Sequence, residues 1–295
     1  MEKTYLFRIY PNKEQRSQIE KTFGCARFVY NYYLERRIKS YRENNAPMYL
    51  YDCLKDLTKI KQLYPWLYDV DNSALQNSIK NLDRAYRRFF NHTSKFPKFK
   101  RKKDTVKSYR TSFTNNNIQF DGKRLRIPKL GWVKARGYKS IAGRILNITV
   151  KKMADGKYYG HLCCADIPNE ILPQSGAVVG VDLGIKGLLT TSDGITFVNN
   201  RYYQSVSKKL VRLQKSITRK TSGSANRNKA RIQYAKECAK VRHARANTLH
   251  EISTYLIREY DIICIEDLPI ENLVHNHNLA EKIEDAAWGE LKRQL

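Results

Sequence analysis

Acidic residues are scarce in this chain. Its 295 residues hold 28 Asp and Glu against 55 Lys and Arg, a formal charge of +27. A small neutral substrate needs no such excess. A polyanion does; nucleic acid is the first candidate and an anionic membrane surface the second. Long apolar runs are also missing. No stretch approaches the length of a membrane-spanning helix. The opening "MEKTYLFRIYPNKEQ" lacks the apolar core of a signal peptide. The expectation is a soluble, cytoplasmic protein associated with the nucleoid. Paired cysteines are absent too. Cys25, Cys53, Cys163, Cys164, Cys238 and Cys264 show no Cys-x-x-Cys spacing, which argues against zinc. A reducing compartment argues against disulfides, so all six are expected to be small buried apolar residues. The six histidines show no ligand spacing, and His275 and His277 sit in a loop-like "HNHN". No Ser-His-Asp or Cys-His arrangement and no phosphate-cradling Gly loop is present.

What is present divides by texture. "TYLFRIYP" alternates apolar and polar residues and predicts a strand. The next stretch predicts a helix, with Asn12 and Gln15 at capping-box spacing and Ile19, Phe23, Ala26, Tyr30 and Tyr33 at helical spacing. A second helix is expected near 52–63, ending before Pro65. A third is expected from Ser73, with Leu75, Ile79, Leu82, Tyr86 and Phe89 as its buried stripe. Residues 11 to about 92 thus form a helical unit. Beyond it, Asp121-Gly122 and Asp155-Gly156 each sit between alternating segments, a strong hairpin signal. Residues 105–170 therefore predict a small antiparallel β unit, a barrel that takes in strand 3–10. Residues 168–176 read as a linker. Then "AVVGVDLG", "KGLLTT" and "ITFVNN" predict three strands, the last two joined through Asp193-Gly194. Two long helices follow, broken at 220–228, and "YDIICIEDLPIENL" predicts a buried strand ending at Glu266 and Asp267.

Two stretches carry the charge. Between Arg84 and Arg110, eleven of 27 residues are Lys or Arg and only Asp104 is acidic. Lys95, Lys98, Lys100, Arg101, Lys102 and Lys103 are its centre, interleaved with Phe89, Phe90, Phe96, Phe99 and Tyr109. Cations match phosphates and aromatic rings can stack on bases. The rings could equally be core, and the cations a solvated face. Between Arg201 and Leu249, 14 Lys or Arg face one acidic residue, Glu237. A merely solubilising helix pair would mix signs. Lys208, Lys209, Arg212, Arg219 and Lys220 are the expected backbone contacts there.

Two carboxylates end apolar runs: Asp182 after "VVGV" and Glu266 after "IICI". Each alone has an ordinary reading, since Asp-x-Gly commonly caps a turn. Paired in one basic domain, they suit a divalent metal. Hydrolysis of a phosphodiester by two metals needs acidic ligands held rigidly on neighbouring strands, and Mg²⁺ or Mn²⁺ prefers such oxygen ligands. Asp267 is the weaker ligand, because adjacent strand residues face opposite sides.

The sequence resembles the TnpB (OrfB) family of transposon-encoded proteins, relatives of the type V CRISPR effectors. The resemblance rests on "FRIYPNKEQ" with "GCARFVYNYYL", "KFPKFKRKK", "IPKLGWVK", "VGVDLGIKGLLTTSDG" and "ICIEDLPIENL", in order along nearly the whole chain. It implies an α+β multidomain fold. A β wedge domain (1–10 and 93–175) would be split by a helix-turn-helix-like helical recognition domain (11–92), and a RuvC-like, RNase H-like α/β domain (176–295) would follow. It implies cleavage of DNA directed by a guide RNA from the transposon end, with target DNA as substrate and Asp182 and Glu266 as RuvC carboxylates holding Mg²⁺ or Mn²⁺. The family continues beyond the segment matching "WGELKRQL" with a Cys-x-x-Cys zinc ribbon and a third carboxylate. Leu295 lies 29 residues after Glu266. The expectation is a C-terminally truncated, incomplete RuvC domain without zinc, impaired in cleavage and with apolar sheet surface exposed. Asp285 is expected to start or cap a helix, not to replace the third ligand. The rival readings are a nuclease-dead RNA-guided repressor and a basic RNA-binding protein without DNA targeting.

Overall fold

The computed structural model describes residues 1–169, 172–273, 275 and 277–295. The chain forms two compact units, 1–169 and 170–295. The expected linker 168–176 includes Glu170 and Ile171, which lie outside the described residues.

In the first unit, strand β1 (Lys3–Tyr10) leads into helix α1 (Lys13–Asn44). The Asn12 side chain accepts from the Gln15 amide and the Gln15 side chain accepts from the Asn12 amide, so the capping box forms as read. Helix α1 serves two cores in succession. Ile19, Phe23 and Ala26 pack on the sheet, whereas Val29, Tyr30, Tyr33 and Leu34 pack among helices. Helix α2 (Leu50–Leu63) stops before a 3-10 turn at Pro65–Asp69, since proline cannot continue the ladder.

Helix α3 (Asn72–Phe90) starts from Asp71, not Ser73. Asp71 Oδ2 accepts from the Ala74 amide, while the Ser73 hydroxyl accepts from the Ser112 amide. Leu75, Ile79 and Leu82 are fully buried, at roughly 1.5–3 kcal/mol each. Tyr86 and Phe89 are only half-buried.

The remaining strands are β2 (Lys107–Ser112), β3 (Gln119–Phe120), β4 (Arg124–Ile127), β5 (Gly131–Arg136), β6 (Arg144–Lys152) and β7 (Tyr158–Ala165). With β1 they form a sheet in the order β2-β6-β7-β1-β5-β4-β3, and β1 is antiparallel to both β5 and β7. Tyr5, Phe7 and Ile9 of β1 face the core with Leu125, Ile127, Val133, Leu162 and others. Strand 3–10 joins the sheet as expected, but the barrel does not close. Among the described residues β2 and β3 remain edges, and β3 offers a ladder of only two residues. Both Asp-Gly hairpins form; Gly122 and Gly156 take φ of 88° and 79°, a conformation that costs glycine nothing.

The second unit begins with β8 (Val178–Asp182), β9 (Gly187–Thr191) and β10 (Thr196–Val198), a meander with Gly194 at φ 90° in its second turn. Helices α4 (Tyr202–Thr218) and α5 (Ala225–Glu259) cross over to β11 (Ile262–Ile265), which runs parallel to β8. The sheet order is β10-β9-β8-β11. Short helices α6 (Ile270–Leu273), α7 (His277–Ala286) and α8 (Trp288–Gln294) follow. His277 therefore opens a helix, against the expected loop; Asn276 lies outside the described residues. The core joins Val179, Val181 and Leu189 to Leu249, Ile252, Leu256, Trp288 and Leu291. Val178 and Ile262 are register partners left 59% and 56% exposed, an apolar pair on the sheet surface.

Candidate active site and nucleic-acid surface

The parallel pairing of β8 and β11 sets the candidate site. The register runs Ile262↔Val178, Ile263↔Val179, Cys264↔Gly180 and Ile265↔Val181. Asp182 and Glu266 each come one residue after the last of these pairs. Residues opposite one another in parallel strands share a face, so the register brings both carboxylates to one end of two adjoining strands. Both are exposed. Among the described residues neither carries a hydrogen bond or ion pair, so Asp182 does not act as a turn cap. The β8–β9 turn is closed instead by the Gly184 amide donating to the Leu188 carbonyl at 3.4 Å. Asp267 differs: Lys292 pairs with it and holds its carboxyl below the usual range.

Two exposed carboxylates on neighbouring strands fit a hard divalent cation, with water completing its shell. Among the described residues no cluster of three or more His, Cys, Asp or Glu is arranged to hold a metal. Asp285 is committed elsewhere. Its carboxylate accepts from the amides of Tyr203 and Gln204 at 3.0–3.4 Å and from Arg245 Nη2 at 2.8 Å. Helix α4 begins after Arg201, which has φ 46° and supplies no side-chain cap. Asp285 caps it from α7, a partner 82 residues away in sequence.

The basic residues divide into engaged and free. Lys95, Lys98, Lys102 and Lys103 are exposed and make no ion pair among the described residues. Arg101 is exposed, and its amide donates to Asp104. Lys100 is different. Its amide donates to Asn31 Oδ1 at 2.8 Å and its carbonyl accepts from Asn31 Nδ2 at 2.9 Å. Its ammonium lies 4.1 Å from the centroid of the Tyr30 ring. The residue as a whole is exposed, yet its ammonium is turned inward, and desolvation there lowers its pKa against the opposing pull of Asp104. Lys100 therefore anchors the basic loop to α1 while its neighbours face solvent. Asn31, which bonds both the amide and the carbonyl of Lys100, was not legible from charge spacing.

In the second stretch Lys208 and Arg212 are exposed and unpaired among the described residues. Lys209 pairs with buried Glu237 at 3.1 Å, and Lys240 pairs with the same carboxylate. Lys220 donates back to the Ser216 carbonyl and hydroxyl, and Arg219 Nε to the Lys215 carbonyl. Lys220 thereby satisfies the Ser216 carbonyl at the end of α4, whereas the Lys215 carbonyl also accepts from the Arg219 amide. A further cluster escaped the sequence reading. Lys186, Arg201 and Lys282 rim a cleft whose wall includes Asp285.

The interleaved aromatics split as well. Tyr109 is core at 5% exposure, whereas Phe90, Phe96 and Phe99 are 68%, 42% and 51% exposed. The cysteines are all free, but only Cys25, Cys53 and Cys164 are buried. Burial pushes the Cys25 thiol up to about 11. Cys163 and Cys238 are half-buried and Cys264 is exposed, so the uniform burial expected for the six does not hold. Edge strand β11 leaves Cys264 uncovered. No helix among the described residues is long and apolar enough to cross a membrane.

Comparison with known proteins gives a consistent result. Residues 1–46 match a family described as "Helix-turn-helix domain" and residues 161–277 one described as "Probable transposase", both of OrfB type from IS605 elements. Within 1–46 the structure holds one strand and one long helix. A candidate RNA-guided DNA endonuclease of Streptomyces pristinaespiralis is 33% identical over 302 residues, covering 100% of this chain and 74% of the relative. InsQ of Escherichia coli K12, with the same description, is 29% identical and is covered to 76% by 99% of this chain. A solved Cas12f1–sgRNA–target DNA complex matches at 14% identity and TM-score 0.34, over 100% of this chain and 83% of that one. A superposition so loose adds nothing to the fold or the function. The identity and coverage of the Streptomyces relative, with the two family matches, are sufficient: the chain belongs to the TnpB (OrfB) family.

Proposed function

We propose that this protein is a transposon-associated, RNA-guided DNA endonuclease of the RuvC type, with Asp182 and Glu266 as metal-holding carboxylates. The observation that carries the reading is the parallel β8–β11 register, which brings two unpaired carboxylates to the same end of adjoining strands. A divalent ion bound there would supply Lewis acidity and an activated water. Mg²⁺ or Mn²⁺ suits the oxygen donors. The protein's own part is to hold the two carboxylates on a rigid sheet and to bring the phosphodiester to them. Free cations at Lys95, Lys98 and Arg101–Lys103, and at Lys208 and Arg212, face phosphate. The relatives' description as RNA-guided DNA endonucleases supports RNA and DNA as the two polyanions. In this reading the guide comes from the transposon end, the first unit holds the wedge and recognition elements, and the second holds the RuvC-like nuclease.

A second reading has its own support. Among the described residues no third acidic side chain joins Asp182 and Glu266. A polypeptide of these 295 residues would then bind DNA under RNA guidance and cleave it weakly or not at all. One experiment separates the readings. RNA copurifying with the chain is sequenced, and a DNA duplex matching it is supplied with Mg²⁺. Cutting that Asp182→Ala abolishes while leaving binding intact supports the nuclease. Programmed binding without cutting supports the second reading. RNA binding that programs no DNA recognition would overturn both.

A further inference from the structure

The helical part of the first unit carries an aromatic groove to which the basic loop contributes Phe96. Tyr86, Phe89 and Phe90 lie on the last turns of α3, and Phe96 folds back against them. Tyr86 and Phe90 stack at 6.2 Å with planes 22° apart. Phe96 stands edge-on to Tyr86 at 5.6 Å and to Phe89 at 5.2 Å. Tyr49 and Tyr51, at the start of α2, complete a groove of about 830 Å³. Rings that belonged to a core would be covered. Here Phe90 is 68%, Tyr49 65% and Tyr51 76% exposed.

The charge around the groove indicates its occupant. Arg42 and Arg87 line it. Among the described lining residues Asp83 is the one carboxylate, and it is already shared between Arg37 at 3.1 Å and Arg87 at 2.9 Å. Arg37 is 8% exposed, lies 5.1 Å from the Tyr86 ring, and its Nε has no hydrogen-bond partner. An apolar peptide or a second copy would leave this cationic rim uncompensated. A nucleotide satisfies both features: its base presents a π face to the rings, and its phosphate meets the arginines. We propose that the groove binds an unstacked base of single-stranded nucleic acid, with Phe90 as the platform and Arg42 beside the adjoining phosphate. The proposal rests on the nucleic-acid reading above and adds a base-binding subsite to it.

The test measures the full chain's affinity for a short unstructured RNA and for the same RNA with abasic positions. Phe90 is exposed, so Phe90→Ala should fold normally. It should weaken binding to the intact RNA by about tenfold, the usual scale for losing one base–aromatic stack. Phe90→Trp should restore it. On the abasic RNA the parent and Phe90→Ala should bind alike, and the salt dependence should be the same for both, since no phosphate contact is removed. Equal binding of intact RNA by parent and Phe90→Ala would overturn the proposal. So would a loss that persists on abasic RNA. Self-association by the parent but not by Phe90→Ala, with RNA binding unchanged, would make the groove a protein interface and overturn it too. If the parent binds no RNA, the functional reading falls along with it; if it binds RNA steeply with salt but ignores both changes, only the groove does.

Discussion

Replacing Asp285 by alanine removes two things at once. The first is the acceptor for the Tyr203 and Gln204 amides at the start of α4. Loss of such a cap costs about 1 kcal/mol. The second is the partner of Arg245. Breaking a fully buried pair by removing one side costs about 3–5 kcal/mol. The Arg245 side chain is 27% exposed and the Asp285 side chain 6%, so water compensates part of the loss. A figure of about 2 kcal/mol for the pair is reasonable, giving about 3 kcal/mol in all. Asp285→Asn keeps an acceptor for the helix and loses the charge, so it should cost less. Arg245→Met added to Asp285→Ala should recover part of the loss by removing the unpaired guanidinium. The two units need not unfold together. Hydrogen exchange resolved to residues 202–218 and 245–256 during denaturant unfolding therefore reads the second unit directly. The reasoning fails if Asp285→Ala leaves that exchange unchanged but weakens binding of Mn²⁺. Asp285 would then be a metal ligand, and its role as a cap would be incidental.

Other outcomes follow from the same geometry. Replacing Arg101, Lys102 and Lys103 together by alanine should flatten the log–log salt dependence of single-stranded RNA binding by up to about 2, at about 0.7 per phosphate contact. Adding Lys100→Ala should lower stability more than it changes the slope, because its ammonium rests on Tyr30. Tyr30 is 6% exposed, so Tyr30→Ala should cost roughly 3–5 kcal/mol in denaturant unfolding while Tyr30→Phe costs little. A Tyr30→Ala chain as stable as the parent but deficient in RNA binding would show that the ring is a contact surface. Glu20 sets an acid limit. Burial raises its pKa, but hydrogen bonds and charge from Lys152 and Lys107 outweigh it, and the net shift is downward from 4.5. Its contribution is therefore complete above the ordinary carboxylate range and is lost as pH falls through the depressed value. Glu20→Gln should erase that part of the acid-side decline in unfolding free energy; an unchanged pH profile would contradict the assignment.

The fold was legible where local chemistry admits one answer. Asp-Gly at 121–122, 155–156 and 193–194 allows the tight turn of a hairpin, and each hairpin forms. Asn12 with Gln15 closes a capping box within four residues. Long-range competition hid the rest. Ser73 has the composition of a cap, yet its hydroxyl is used by the Ser112 amide, and Asp71 takes the role. The barrel failed because alternation reveals strands but not whether the two edges meet. The carboxylate pair was legible as two apolar runs ending in an acid; their common level was not, since it depends on a parallel register across an 80-residue crossover. Among the cations, spacing could not tell that Lys209, Arg219 and Lys220 also make ion-pair or helix-end contacts, whereas Lys208 and Arg212 make none among the described residues.

The central claim is that Asp182 and Glu266 share one divalent ion. Mn²⁺ titration of the full chain, followed by electron paramagnetic resonance, tests it without requiring catalysis. Both side chains are exposed and unpaired among the described residues, so Asp182→Ala and Glu266→Ala should fold like the parent. The parent should bind Mn²⁺ at a site that either substitution abolishes or greatly weakens, and Mg²⁺ should compete for it. Identical Mn²⁺ binding by the parent and both variants would contradict the claim.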